Sequence, residues 1–319
     1  MATPARDVPL QILLVTRVSG LEAELRGRAL PGVAWVRTKS DGDTAVAVPE
    51  AEVIVADPPL VAGHLERASA LKWMQSTYAG VDDLVGAGAR QDYLLTRLAE
   101  VFAPLMAEYV VAQMLARERY LADLARQQAA RQWQPARYRS LANLTVGILG
   151  LGNIGQVVAA AAKAFGMTVW GLRRCAGAVP GVNRVFTTPE LAAFLHGPDY
   201  LVNILPTTPG TRGLLSGDAL KVCLPGTVLI NIGRGDVIDE ASLVRAVTEG
   251  WLGGAVLDVF EEEPLRSSSP LWDLPGVTIT PHVAALGGAA DIAEVVAANV
   301  ERYLDGEPLN YVVDWERGY

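Results

Sequence analysis

The sequence predicts an α/β protein of two domains, each a doubly wound parallel sheet. Three observations carry that expectation. The chain has 319 residues, half of them hydrophobic, which is more than a single core usually organises, since cores stop growing near 250 to 300 residues. Short apolar runs alternate with longer stretches of helical pattern along most of its length. Near the middle, at 146 to 155, VGILGLGNIG passes from Val, Ile and Leu into glycines at 150, 152 and 155, the strand-to-helix turn of a dinucleotide-binding Rossmann sheet.

Taken in order, QILLVT (11–16), EVIVAD (52–57), LKWMQS (71–76) and DYLLTR (92–97) are apolar runs of strand length, and GLEAELRGRAL and LVAGHLERA between them carry helical spacing. From Pro104 to about Gln132 the chain has no glycine and is rich in Ala, Leu, Arg and Gln; Pro104 suits a first turn, so one long helix is predicted. Beyond it, LTVGILG (144–150), TVWGL (168–172), YLVNIL (200–205), TVLINI (227–232), GGAVLDV (253–259) and VTITP (277–281) read as strands, with a helix from about Asn153 to Phe165. These form the second sheet. No internal repeat stands out.

Composition narrows the function classes. A formal net charge of -8 opposes binding to a phosphate backbone, so nucleic acid is not an expected partner. Cys175 and Cys223 are too few for a disulfide framework or a thiolate metal site, so no metal is expected and the thiols are read as free in a reducing compartment. The opening MATPARDVPL has no apolar core of leader length and no stretch reaches about 18 apolar residues, so the expectation is a cytoplasmic protein with no membrane partner.

The glycines have separate tasks. Gly150 permits the tight turn, Gly152 lets backbone approach a pyrophosphate, and Gly155 allows close helix–sheet packing, while the amides of Asn153 and Ile154 open the helix at its positive end. About 20 residues past the first glycine an NAD site usually offers Asp or Glu to the ribose. Here Gly171 and Leu172 stand in that region, followed by Arg173 and Arg174. A guanidinium matches a 2′-phosphate in charge and in fork geometry, which favours NADP over NAD. Further on, NIGRG places Arg234 after a buried strand, LDVFEEEPL does the same for Asp258 and Glu263, and TPHVAA for His282. One cation, one carboxylate and one imidazole at the carboxyl ends of neighbouring strands suit acid–base chemistry on a carboxylate-bearing substrate.

Those runs, with YAGVDDL (78–84), MAEYVVAQML (106–115), LPTTPGTRGLL (205–215) and NIGRGDVIDEASL (231–243), resemble the D-isomer-specific 2-hydroxyacid dehydrogenase family over nearly the whole chain. LMAEYV and the Arg pair are most similar to its NADPH-dependent glyoxylate and hydroxypyruvate reductase branch. The resemblance implies a flavodoxin-like substrate domain, 1–98 with 288–319, into which a dinucleotide domain, 99–287, is inserted, with the active site between them. It implies that Arg234 holds the substrate carboxylate, that His282 exchanges a proton with the carbonyl oxygen, and that Glu263 supports His282. It further implies a second carboxylate anchor at the amides of Ala79 and Gly80, cofactor contacts from Leu205, Pro206, Ile232 and Asp258, a small 2-oxoacid as substrate, and a homodimer paired through the arm after Pro104.

Only the family pattern selects Glu263 from Glu261 and Glu262, since an acidic run alone is usually a solvated face. His64 and His196 are read as surface residues, Tyr109, Met106 and Met114 as helix core, and Cys175 as an incidental thiol. Three functions stay open: 2-hydroxyacid dehydrogenase chemistry, whether reduction of a small or a bulkier 2-oxoacid or oxidation of phosphoglycerate; dinucleotide sensing in the manner of a corepressor; and formate or phosphite oxidation on the same scaffold. A proton relay is superfluous in a sensor, and formate enzymes of this superfamily carry Gln where Glu263 stands.

Overall fold

The computed structural model describes residues 8–86 and 88–318. In chain order the first elements are β1 (Leu10–Val15), α1 (Leu21–Gly27), β2 (Val33–Arg37), α2 (Asp41–Ala47), β3 (Val53–Ala56), α3 (Pro58–Val61), β4 (Trp73–Ser76), β5 (Leu94–Thr96), α4 (Phe102–Glu118) and α5 (Leu121–Ala129). Then come β6 (Thr145–Leu149), α6 (Asn153–Ala164), β7 (Thr168–Leu172), β8 (Arg184–Phe186), α7 (Leu191–Leu195), β9 (Tyr200–Asn203), β10 (Val228–Asn231), α8 (Glu240–Thr248), β11 (Gly254–Leu257), β12 (Val277–Ile279) and α9 (Ala289–Asp305). The chain divides into two compact units, one running to Val101 and resuming at Gly287, the other spanning Phe102–Leu286.

The first unit is a parallel five-stranded sheet in the order β2-β1-β3-β4-β5, the flavodoxin-like winding. Strands β3 and β4 are buried at every residue, which is why VIVA and WMQS read as continuous rather than alternating runs. The returning C-terminal segment is held by buried polar groups. Asn299 on α9 donates from Nδ2 to Gln75 Oε1 at 2.8 Å, and the same oxygen accepts from Thr96 Oγ1 at 2.7 Å. Asn310 N–H donates back to Asn299 Oδ1 at 2.8 Å. Deleting any one member would orphan a buried partner at about 1–3 kcal/mol.

The second unit is a parallel seven-stranded sheet ordered β12-β11-β10-β9-β6-β7-β8. The chain runs outward from β6 to β8, then crosses back to β9, so the strand order reverses between β6 and β9, where an open α/β sheet forms its ligand crevice. Apolar clusters cover both faces, one around Val146, Ile148 and Val202 and one around Leu149, Leu201 and Leu229.

Several elements differ from the sequence expectation. The long helix after Pro104 is two, because Tyr120 takes a left-handed conformation (φ 54°) between α4 and α5. The carboxylate of Glu118, at the end of α4, accepts from Arg139 Nη2 at 2.7 Å and from the Tyr200 hydroxyl at 2.8 Å. That pins the helix end, whereas α5 beyond it buries no residue. LVAGHLERA is a single α turn followed by a 3-10 stretch, Ala62–Arg67, rather than a regular helix. Strands β2 and β8 have no counterpart in the sequence reading. The unit boundaries fall at Val101 and Gly287 instead of 98 and 288, since Leu98 and Ala99 are buried and Leu98 N–H still donates to Tyr78 O. His64 is half-buried and its Nε2 lies 2.7 Å from Asp41 Oδ1, so it is not a plain surface residue.

Candidate active site

The residues singled out from the sequence in the second unit all stand where its strands end at their carboxyl edge. After β6, Gly150 has φ 102°, and a Cβ on Gly155 would lie 2.0 Å from Gly150 O. Neither position accepts another residue without moving backbone. A Cβ on Gly152 would meet nothing within 4 Å, so the space over this turn is open. Gly152 and Asn153 are exposed and Ile154 is half-buried at the start of the 12-residue α6. Their first-turn amides have no intrahelical acceptor and sit at the positive end of the helix dipole. The set fits a pyrophosphate.

β7 ends at Leu172. Gly171 is there for packing, because a Cβ would lie 2.3 Å from Leu151 Cδ1. No carboxylate follows; Arg173 is half-buried, Arg174 is exposed, and among the described residues neither is ion-paired. A ribose carrying a 2′-phosphate suits that edge better than a bare diol.

The next two loops are locked to each other. Asn203 and Asn231, the last residues of β9 and β10, are both buried. Asn203 Nδ2 donates to Asn231 Oδ1 at 2.9 Å, Leu205 N–H to Asn203 Oδ1 at 3.2 Å, Gly233 N–H to Asn231 Oδ1 at 3.2 Å, and Asn231 Nδ2 to Arg234 O at 3.1 Å. Ile232 is buried and donates its N–H to Asn203 O at 3.1 Å, while Leu205 and Pro206 are half-buried in the loop after β9. The sequence reading missed the two asparagines, although VNI and INI at equivalent strand ends were visible.

Arg234 is half-buried in extended backbone between two glycines that packing requires. A Cβ on Gly233 would lie 2.8 Å from Leu205 O, and one on Gly235 would lie 1.9 Å from the Phe260 carbonyl carbon. The arginine is thus pinned from both flanking loops, and its Nη1 donates to Gly233 O at 2.8 Å. The helix that follows is clasped to the Glu263 loop: Glu240 N–H donates to Glu261 Oε1 at 3.0 Å and Glu261 N–H to Glu240 Oε1 at 3.2 Å. Burial, followed by the charge of Glu261, pushes the Glu240 carboxyl above its ordinary value.

His282 Nδ1 lies 2.7 Å from Glu263 Oε2, and Glu263 Oε1 accepts from Phe260 N–H at 3.0 Å. Of the three glutamates, Glu263 alone touches the imidazole; Glu261 serves the clasp and Glu262 pairs with Arg266 at 2.5 Å. The hydrogen bond that His282 donates to Glu263 raises its pKa above 6.5 against the opposing effect of burial, with further help from the charges of Glu263 and Asp258, while Arg234 pulls the other way. Burial alone would push Glu263 up, but its hydrogen bonds from His282 and Phe260 bring it below the usual carboxylate value. The arginine charge bears on both groups, lowering each. The imidazole is 56% exposed, and among the described residues Nε2 has no partner.

His282 has φ 54°, a conformation that costs a non-glycine residue roughly 1 kcal/mol or more. Asp258, buried behind it, maintains that pose. Its Oδ1 accepts from Thr280 Oγ1 at 2.6 Å and Val283 N–H at 2.8 Å, its Oδ2 from Ala284 N–H at 2.9 Å, and its backbone oxygen from His282 N–H at 2.9 Å. In the first unit, Ala79 and Gly80 are half-buried in the loop after β4. Among the described residues no group of three or more His, Cys, Asp or Glu side chains could hold a metal ion, and no helix is long and apolar enough to cross a membrane.

A family model described as D-isomer specific 2-hydroxyacid dehydrogenase, NAD binding domain, matches residues 111–284. The chain is 34% identical over 311 residues, 95% of each protein, to glyoxylate/hydroxypyruvate reductase A of Yersinia enterocolitica. It superposes with a TM-score of 0.89 on a D-isomer specific 2-hydroxyacid dehydrogenase family protein of Aeromonas salmonicida, at 39% identity over 96% of this chain and 99% of that one. A similar match, TM-score 0.86 and 32% identity over 97% and 99% of the two chains, is to the NADPH-dependent glyoxylate/hydroxypyruvate reductase of Sinorhizobium meliloti in complex with NADP and sulfate. A Rossmann turn followed by an Arg–Glu–His set on successive strand ends, matched along almost the full length of these relatives, leaves one conclusion: the chain belongs to the D-isomer-specific 2-hydroxyacid dehydrogenase family and is an oxidoreductase of that family.

Proposed function

We propose that the protein reduces a small 2-oxoacid of the glyoxylate or hydroxypyruvate type to the D-2-hydroxyacid with NADPH as donor. The observation that carries this reading is His282 held by Glu263 at 2.7 Å with no partner on Nε2 among the described residues, at the end of a strand row, β10-β11-β12, whose other two ends lead to Arg234 and Glu263. The cofactor would rest its pyrophosphate on Gly152, Asn153 and Ile154, its 2′-phosphate on Arg173 and Arg174, and its nicotinamide half near Leu205, Pro206 and Ile232. Asp258 has three of its roughly four acceptor positions filled by protein, which leaves one on Oδ2 for a carboxamide.

When bound, the dinucleotide supplies the hydride. The chain supplies the rest. Arg234 grips the substrate carboxylate and polarises the adjacent carbonyl, a task for which a planar fork is better suited than an ammonium. His282, protonated through its bond to Glu263, gives the Nε2 proton to the carbonyl oxygen as that oxygen gains charge, and takes it back in the oxidative direction. The amides of Ala79 and Gly80 are the proposed second hold on the carboxylate. A homodimer is part of the same proposal: α5 buries none of its residues, leaves Leu121 and Leu124 exposed, and is followed by Trp133 at 97% exposure, apolar surface of the kind that two-fold pairing covers.

The test is initial-rate kinetics with NADPH and NADH across glyoxylate, hydroxypyruvate, pyruvate and bulkier 2-oxoacids, alongside light scattering. The reading expects turnover with the small acids, a preference for NADPH that an Arg173→Ala, Arg174→Asp variant loses by about tenfold or more, and a particle of twice the 33.9 kDa chain. Absence of turnover with every acid would end the catalytic reading, and a particle of one chain would end the dimer.

A further inference from the structure

The sequence reading treated Tyr109 as helix core, yet its hydroxyl lies 2.6 Å from Thr280 Oγ1, two residues before His282. The direction of that bond follows from its neighbour. Thr280 Oγ1 is also 2.6 Å from Asp258 Oδ1, and a carboxylate only accepts, so the single threonine hydrogen goes to Asp258 and Tyr109 must donate to the threonine oxygen. Burial, the larger effect, and the charge of Asp258 raise the Tyr109 pKa, so the phenol keeps its proton at neutral pH. The result is a one-way chain, Tyr109 to Thr280 to Asp258, running from α4 into the carboxylate that receives the Val283 and Ala284 amides. His282 lies inside that bracket, with a backbone conformation it would not adopt unaided.

We propose that Tyr109 and Thr280 are positioning residues for His282, fixing the loop so that the imidazole keeps its bond to Glu263 while Nε2 faces substrate. The proposal rests on the acid role assigned to His282 above. The Tyr109 hydroxyl bonds Thr280 and not the imidazole, so it acts on His282 through Thr280 and Asp258. The α4 helix that carries it packs against α6, the helix whose N-terminus is proposed to take the pyrophosphate, so one helix touches both the element of the cofactor turn and, through Thr280, the loop of the proposed proton donor. The charged groups that act on His282 are Glu263, Asp258 and Arg234, and Tyr109→Phe leaves all three in place.

The experiment compares Tyr109→Phe, Thr280→Val, the double variant and Thr280→Ser in the full-length protein. Expected are a roughly tenfold loss of kcat in each of the first two with KM for NADPH and for the 2-oxoacid within about twofold, no further loss in the double variant because the pair acts as one unit, and recovery of most activity in Thr280→Ser. The His282 imidazole signal, one of three histidines in the chain, is followed by NMR against pH and assigned by difference from His64→Gln and His196→Gln. Its midpoint is expected to fall in Tyr109→Phe as the Glu263 bond loosens. Wild-type kcat in Tyr109→Phe, additive losses in the double variant, or KM effects without a kcat effect would overturn the proposal. Should the wild-type protein turn over no 2-oxoacid, the catalytic reading fails on its own, and the NMR midpoint decides here: a fall in Tyr109→Phe upholds the positioning role, and an unchanged midpoint removes it.

Discussion

Both units carry the same local device, and they use it differently. In the first, Ala56 and Ser76 are paired at the ends of β3 and β4, and the residues just beyond them, Asp57 and Thr77, are joined at 2.5 Å. In the second, Leu257 and Ile279 are paired at the ends of β11 and β12, and Asp258 and Thr280 are joined at 2.6 Å. Each threonine stands two residues before a proposed functional position, Ala79 in one case and His282 in the other. The other donors differ. Asp57 takes Thr16 Oγ1 at 2.6 Å and Arg17 N–H at 2.7 Å, so it ties the loop after β4 to the loop after β1. The other two protein donors to Asp258, the Val283 and Ala284 amides, lie inside the loop it already holds. On the proposed roles, a buried carboxylate spread over two loops sets where a backbone anchor lies, and one confined to a single loop sets the pose of a side chain that transfers a proton.

That difference is measurable. Asp258→Ala orphans three donors around His282 and is expected to cut kcat by about 100-fold, more than it raises either KM. Asp57→Ala orphans three donors as well and costs a comparable few kcal/mol in chemical denaturation. Its kinetic signature should be a severalfold higher KM for the 2-oxoacid with kcat closer to wild type, since the loop bearing Ala79 and Gly80 is what it loosens. If both variants lose kcat alike, the two devices are not specialised. A smaller effect separates the imidazole from its support. The Glu263 bond raises the His282 pKa above 6.5, and the proposed mechanism needs the protonated ring, so reductive activity is expected to be full at lower pH and to fall as pH rises through that raised midpoint. Glu263→Gln removes the charge, so the alkaline limb of the kcat/KM profile should move to lower pH. An unmoved limb would show that another group titrates.

Much of this architecture was legible in the chain. Buried parallel strands such as VIVA and VLIN are continuous apolar runs with no competing pattern, and the glycines at 150 and 155 are dictated by backbone contacts that no other residue satisfies. What escaped were features decided by tertiary partners. β8 has three residues and lies at the sheet edge, too short for periodicity to register. The break at Tyr120 has no glycine or proline to announce it; it follows from the clamp on Glu118, whose partners Arg139 and Tyr200 are distant in sequence. Tyr109 showed only helical spacing, and its hydroxyl acquires meaning from Thr280, 171 residues away. Glu263 could be picked from its neighbours only through the family pattern, whereas in space it alone reaches His282.

The central claim is that a Glu263-supported His282 donates the proton to a 2-oxoacid. It is tested most directly by the pH dependence of NADPH oxidation with hydroxypyruvate in wild type and in His282→Gln. The account predicts a wild-type alkaline limb with its midpoint above 6.5, and in the variant a loss of at least about 100-fold together with disappearance of that limb. A His282→Gln protein that retained wild-type turnover and the same limb would contradict it.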